Sequence, residues 1–365
     1  MSLCFLSGES SSHRAEIPLS FKFGAVAVLS VAMVLSGGAR AASDGEKVVR
    51  REVAVSVVGL SRPRFPIEEA SIAKVIDYWV RAMDREIGNR PDLIALPECC
   101  DTIPTPSAAE KARWIRMRGT KVLEAIQAYA AEHHCYIVYA AHRERDDGKF
   151  ANSSTLIDRS GKVAAVYDKV FPTVGEMESA EFPVVPGREA VVAETDFGRV
   201  GFVICFDLNF LELKEMYQAK HPDVLVFSSF FDGDFRQREW ALDCQSHFIS
   251  ATCSESLPGR VIDPSGGELR HECYYMPTFT AMINTNCRVM HLDFNREKFA
   301  QVIRRYGRRV TIRNPGEVGS VTLVSNDPSL PVDEVMRAFE LEPLSAYFER
   351  SRDVRAKALG GKPER

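Results

Sequence analysis

The sequence predicts an α/β fold built on mixed sheets (α+β character within the sheets), and two observations carry that class. Segments of helical period alternate with short apolar strands through most of the chain, and several neighbouring strands are joined by hairpin turns. The alternation points to α/β, while the hairpins argue against a purely parallel, doubly wound sheet. The 365 residues, 45% apolar and 26% charged, suit a soluble globular protein with one large core.

REVAVSVVGL (51–60) reads as a first strand entering that core. SIAKVIDYWVRAMDREI (71–87) sets Ile72, Val75, Ile76, Trp79, Val80 and Met83 at helical spacing. NRPDLIALPE (89–98) is a turn and a short strand ending at Pro97-Glu98, a helix spans 108–132, and CYIVYAAHRE (135–144) is the next strand. FANSSTLIDRSGKVAAVYDKV (150–170) gives two strands joined at Arg159-Ser160-Gly161, where Ser-Gly suits a hairpin turn. GRVGFVICF (198–206) is a strand, a helix follows near 209–219, and HPDVLVFSSF (221–230) repeats the turn-then-strand pattern. EWALDCQSHF is helical, FISATCSE is a strand, and GRVIDPSGGELRH is a strand leading into a hairpin. VMHLDF and helical segments including EVMRAFELEP follow, with an Arg/Lys-rich tail.

The first forty residues differ from the rest. Arg14 and Lys22 precede an apolar stretch through Leu35, and Ala39 and Ala41 supply small residues, which is the layout of an export signal cleaved after Ala41. The expected organisation is a signal peptide at 1–41, a short linker at 42–49, a catalytic domain at 50–330, and a helical extension with a charged tail at 331–365. Export to the periplasm or the extracellular space follows, with membrane attachment only if the segment stays uncleaved. The net charge of −4 and the merely local arginine patch RRYGRR (304–309) give no reason to expect nucleic-acid binding. The nine cysteines show no CxxC pair and no Cys/His zinc spacing, so neither a metal site nor a disulfide framework is expected. GxxxxGK[ST], GxSxG, HExxH and GxGxxG are all absent.

Three residues stand out by position. Glu98 follows the apolar strand LIALP, where a carboxylate walled by Leu96 and Pro97 is placed to act as a base. Lys169 ends VAAVYD, and an ammonium there suits a developing oxyanion. Cys205 ends GRVGFVI just ahead of a helix, where backbone N–H groups and a cation activate a thiol. Singly, each also fits a structural part: a cysteine in an apolar strand is most often core, and a strand-end Glu or Lys is most often a surface charge.

Together, LIALPECC, VYDKVFPTVGE and GRVGFVICFDLNFLEL occur in the order of the nitrilase family of carbon–nitrogen hydrolases, which the chain resembles over residues 50 to 290. GRVIDPSGGEL also resembles that family's Asp-Pro-x-Gly segment. The resemblance implies a four-layer α-β-β-α sandwich, hydrolysis of an amide-like C–N bond without metal or organic cofactor, and a homodimer or larger oligomer. It implies Glu98 as general base, Lys169 as catalytic lysine, Glu176 as the supporting glutamate and Cys205 as nucleophile. Chain order adds the Phe206 N–H as an oxyanion donor and Asp207 as a carboxylate fixing the turn. WALDCQSHFISATCS lacks the family's Arg-Ala-x-Glu-Asn run, so the substrate class stays open among amides, N-carbamoyl compounds and nitriles. An acyltransferase or a non-catalytic scaffold are further alternatives. In FFDGDFRQREW, Phe231, Arg236 and Trp240 are candidates for the pocket wall, with helix capping and packing as the competing reading.

Overall fold

The structure, a computed structural model, describes residues 51–361 apart from 255, 256, 258, 273–275, 315 and 317. The expected export signal, the linker at 42–49, and Cys4 and Cys273 lie outside the described residues.

Six strands form the first sheet: β1 (Glu52–Val58), β2 (Leu93–Ala95), β3 (Tyr136–Glu144), β4 (Phe150–Ile157), β5 (Val163–Asp168) and, far along the chain, β12 (Thr278–Asn284). Their order is β12-β1-β2-β3-β4-β5, with β1, β2 and β3 parallel and the others antiparallel. The second sheet holds β6 (Val192–Thr195), β7 (Gly198–Ile204), β8 (Val224–Ser229), β9 (His247–Thr252), β10 (Gly259–Ile262) and β11 (Glu268–Glu272), in the order β11-β10-β9-β8-β7-β6. Here β7, β8 and β9 are the parallel centre.

The alternation of side chains along each strand sorts them into layers. Val53, Val55 and Val57 on β1, Leu93 on β2 and Val138 on β3 join the cluster shared with the second sheet. Their neighbours Ile94, Ile137 and Tyr139 pack instead against α1 (Ala70–Ile87), α2 (Ala108–Arg118) and α3 (Lys121–His133). After the short α4 (Val174–Met177), α5 (Leu211–Lys220) and α6 (Phe235–Cys244) bring Leu213, Tyr217 and Trp240 to the second sheet. Both sheets are covered on both faces, so their central strands read as continuous apolar runs.

The segment 108–132 is two helices, because Gly119 at φ +51 ends α2 and the buried Arg118 before it turns into an ion pair with Asp101. The hairpin between β4 and β5 forms at Ser160-Gly161. Gly161 sits at φ +80, and a Cβ there would come within 2.5 Å of the Gln127 carbonyl oxygen, so only glycine fits. Strands β6 and β12 were not expected from the sequence. Nor was a third antiparallel sheet, order β13-β15-β14, made of β13 (Cys287–His291), β14 (Val310–Arg313) and β15 (Ser320–Ser325). Met290, Val310 and Leu323 of that sheet share one hydrophobic cluster with Val302 of α7 (Arg296–Tyr306) and Val335 of α8 (Val332–Phe339). The cluster runs through Leu330 and Val332, so packing is continuous across the 330/331 boundary. A last helix, α9 (Leu344–Ala358), stacks Tyr347 on His291 with ring centroids 3.9 Å apart. Among the described residues no helix is long and apolar enough to cross a membrane.

Candidate active site

The carboxyl ends of the parallel strands in both sheets converge, and Glu98, Lys169 and Cys205 meet there. Glu98 lies three residues past β2, on a turn held from several sides. The Cys100 N–H donates to Ala140 O at 3.0 Å, Trp79 Nε1 donates to Cys100 O at 2.7 Å, and Trp114 Nε1 donates to Asp101 O at 2.9 Å. Asp101 itself is buried against the Arg118 guanidinium at 2.6 Å, with the Tyr139 hydroxyl donating to it as well. Lys169 follows β5 and donates its N–H to Asn152 O at 2.8 Å. Cys205 opens a 3-10 turn (Cys205–Asn209) directly after β7, at φ +48. A left-handed backbone costs a non-glycine residue of order 1–3 kcal/mol and is found most often at functional sites.

Lys169 Nζ stands 3.1 Å from Glu98 Oε1 and 3.1 Å from Glu176 Oε2. Both Lys169 and Glu98 are only 2% exposed. Asn152 Nδ2 donates to Glu98 Oε1 at 2.8 Å and to Glu176 Oε1 at 3.2 Å, bridging the two carboxylates. Glu176 is fixed by a capping box at the start of α4: Thr173 N–H donates to its Oε2 at 2.8 Å, and its own N–H donates to Thr173 Oγ1 at 3.3 Å. Behind it lies His142, with Nε2 3.9 Å from Glu176 Oε1 and 3.4 Å from Lys111 Nζ, and Nδ1 3.2 Å from Cys99 Sγ. Glu98 Oε2 is buried and has no hydrogen-bond partner among the described residues.

Burial disfavours the Lys169 charge, but the two carboxylates more than offset it, so its pKa is raised and it stays an ammonium. Burial also opposes the charge of Glu176. The nearby His142 ring, the Lys169 ammonium and the Thr173 amide outweigh that and hold its carboxyl far below the usual range. His142 is neutral, pushed down to about 3 by burial and then by Lys111. The Cys205 thiol is pushed up to about 12, first by burial and then by the Glu98 carboxylate, against the pull of Lys169 and a hydrogen bond from the Phe230 N–H. The resting nucleophile is therefore a protonated thiol facing a carboxylate, a pairing that needs proton transfer during attack.

The other described cysteines are buried while Cys205 is partly exposed, so a neutral alkylating reagent should modify Cys205 first in the native protein. The rate should keep climbing with pH to about pH 10, because the thiolate fraction is still rising there. Peptide-level mass spectrometry across the pH series checks this, and a plateau below about pH 8 would indicate a preformed thiolate.

Asp207 is fully buried and joins two of the sequence blocks. Its Oδ1 accepts from Phe171 N–H at 2.8 Å, and its Oδ2 accepts from the Tyr167 hydroxyl at 2.8 Å and from Ile204 N–H at 3.0 Å. Tyr167 and Phe171 flank Lys169 in sequence, so one carboxylate ties the lysine segment to the nucleophile turn. Burial raises its pKa to about 6 despite these donors. Asp207→Asn puts an amide N–H against a backbone N–H, and should cost about 2 kcal/mol of stability and lower kcat roughly 10- to 100-fold through misplacement. Denaturant unfolding beside steady-state kinetics tests it, and an unchanged kcat contradicts the positioning role.

The i→i+3 pattern of the turn leaves the N–H groups of Cys205 and Phe206 without an acceptor inside it, so the Phe206 amide is available at the site. Phe231 is half-buried against Phe227, with ring centroids 5.9 Å apart, near the end of β8. Trp240 stands away from the reacting atoms: it is 1% exposed, sits in the core and donates Nε1 to Leu208 O at 3.0 Å, so packing accounts for it. Arg236 lies over the exposed Phe235 ring at 5.6 Å. Sequence reasoning passed over Asn152, His142 and Thr173. The available signals were an asparagine inside an apolar strand and a Thr-x-x-Glu capping pattern.

A two-sheet sandwich with a thiol, two carboxylates and an ammonium gathered at its strand ends defines a cysteine-centred site. The sequence model of the carbon–nitrogen hydrolase family matches residues 55–253, more than half of the chain, and the chain belongs to that family, the nitrilase superfamily. An omega-amidase of Xenopus laevis is 28% identical over 173 residues, 44% of this chain and 62% of its own length, so the chain spans less than two thirds of that relative. An omega-amidase of Homo sapiens is 25% identical over 228 residues, 58% of this chain and 79% of its own. Among solved structures, a Saccharomyces cerevisiae member of branch 10 of the nitrilase superfamily matches with TM-score 0.54 at 18% identity, covering 71% of this chain and 97% of that one. An amidase from Nesterenkonia sp. AN1, in a variant showing covalent addition of the acetamide moiety of fluoroacetamide at its active-site cysteine, gives 0.55 at 15% identity, covering 71% and 98%. These structures establish the four-layer α-β-β-α sandwich for this chain, as the resemblance implied.

Proposed function

We propose that this chain hydrolyses amide-like C–N bonds through a Cys205 thioester, releasing ammonia or an amine and a carboxylic acid. The observation that carries the reading is the convergence of Glu98, Lys169, Glu176 and Cys205 from separate strand ends, with a buried, unpartnered Glu98 oxygen beside the thiol.

Cys205 Sγ attacks the carbonyl carbon as its proton passes to Glu98, and the carbonyl π pair moves onto oxygen. The Lys169 ammonium and the Phe206 N–H stabilise that oxyanion. Collapse breaks the C–N bond, and Glu98 gives its proton to the departing nitrogen. Water then adds to the thioester while Glu98 takes one of its protons. Cleavage of the C–S bond releases the acid, and the proton returns to Cys205. Glu176 holds Lys169 in place, and Asn152 keeps the two carboxylates apart while satisfying one oxygen of each. The reading is tested by ammonia release from a panel of primary amides, N-carbamoyl amino acids and nitriles. Ammonia release that depends on Cys205 supports it, and no release from any class overturns it.

A further inference from the structure

Three cationic side chains lie near the nucleophile, and they are not equivalent. Lys169 is held by two carboxylates. Arg62 and Lys111 have no carboxylate within ion-pair distance among the described residues; Lys111 rests 4.4 Å over the Phe182 ring beside neutral His142, and Arg62 rests 4.8 Å over the Phe230 ring. Counting formal charges, Glu98 and Glu176 supply −2 and Lys169, Lys111 and Arg62 supply +3, which leaves +1 around the thiol.

Arg62 lies four residues beyond the end of β1, at the same end of the sandwich as the other strand ends that build the site. Its backbone N–H reaches the thiol of Cys253, just past β9. Its guanidinium covers Phe230, just past β8, whose own N–H reaches the Cys205 thiol. Its charge is also felt at Cys99, the neighbour of Glu98. A guanidinium stacked on a ring face keeps its N–H donors pointing outward in its plane, the geometry that accepts a carboxylate through two parallel hydrogen bonds. Arg236, the cation suggested by the sequence, is stacked on the exposed Phe235 ring.

We infer that Arg62 binds a carboxylate carried on the acyl part of the substrate, so that the site prefers amides with an anionic tail to neutral aliphatic amides. This rests on the hydrolase reading above and adds the determinant of its substrate class.

The test is steady-state kinetics on two matched pairs, succinamate with butyramide and glutaramate with pentanamide, in the native protein, in Arg62→Met and in Arg62→Lys. The native protein should show a higher kcat/KM for the acid in at least one pair. Arg62→Met should cut that preference by about 10- to 100-fold, chiefly through KM, as expected for losing a charge-assisted pair of hydrogen bonds. Arg62→Lys should restore part of it. A preference absent in both pairs, or an equal loss on acid and neutral amide in Arg62→Met, overturns the proposal. If the neutral amides still acylate Cys205, the hydrolase reading survives that failure. If no amide is turned over and no acyl adduct forms, both readings fall together.

Discussion

Cys205→Ala is expected to lower ammonia release by at least about 10⁴-fold while leaving the fold intact. Without the sulfur no thioester can form, and the only remaining route is direct attack by water, for which the turn holds no other nucleophile in the same place. The structural cost should be small. Cys205 is partly exposed at the edge of the inter-sheet cluster, and alanine carries the same Cβ at φ +48 as cysteine does. Circular dichroism and denaturant unfolding should match the native protein to within about 1 kcal/mol. Residual turnover above about one part in a hundred with the fold preserved would remove Cys205 from the role of nucleophile.

Lys169→Met is expected to damage both activity and stability. Activity should fall by at least about 10²-fold, because the cation that faces the developing oxyanion is gone. Stability should fall by about 3–5 kcal/mol at neutral pH, because Glu98 and Glu176 are left as buried carboxylates sharing only Asn152. The pH dependence gives this prediction its sign. In the native protein the Glu176 pKa lies below its ordinary value of 4.5, so its ionised form contributes stability above that value that is lost as pH falls through the folded pKa. Without Lys169, burial becomes the leading influence and raises that pKa, so the cost is full at neutral pH and shrinks as the group takes up a proton. The gap between native and variant should therefore narrow from about pH 7 to about pH 5. Denaturant unfolding at the two values checks it; a gap below about 1 kcal/mol at neutral pH, or one that widens on acidification, contradicts the buried ion network.

How much of this was legible in the chain follows from where each residue sits. Glu98, Lys169 and Cys205 each terminate an apolar strand, and strand ends are visible in one dimension as a switch from a hydrophobic run to a lone polar residue. What brings them together is not visible, since Glu98 and Lys169 are 71 residues apart. Asn152 looked like an ordinary strand residue because its two partners lie 54 residues before it and 24 after it. Arg62 sat in a turn segment without pattern, while Arg236 stood out only because its surroundings were unusual. Strand β12 escaped notice because its pairing with β1 is a long-range event: Ser56 and Thr280, 224 residues apart, share a hydrogen bond. The third sheet is built from strands of four to six residues, too short for their period to separate strand from helix. The break between α2 and α3 depends on Arg118 finding Asp101, a tertiary contact that overrides a helical pattern on both sides of Gly119.

The central claim, a covalent acyl-enzyme on Cys205, is tested most directly by acid-quenching a single turnover of a primary amide and mapping the adduct by peptide mass spectrometry. The account predicts an acyl group on Cys205 that forms with ammonia release, decays with release of the acid, and is absent from Cys205→Ala. Ammonia released in that first turnover from a protein whose Cys205 stays unmodified, or an adduct mapped to another residue, would contradict it.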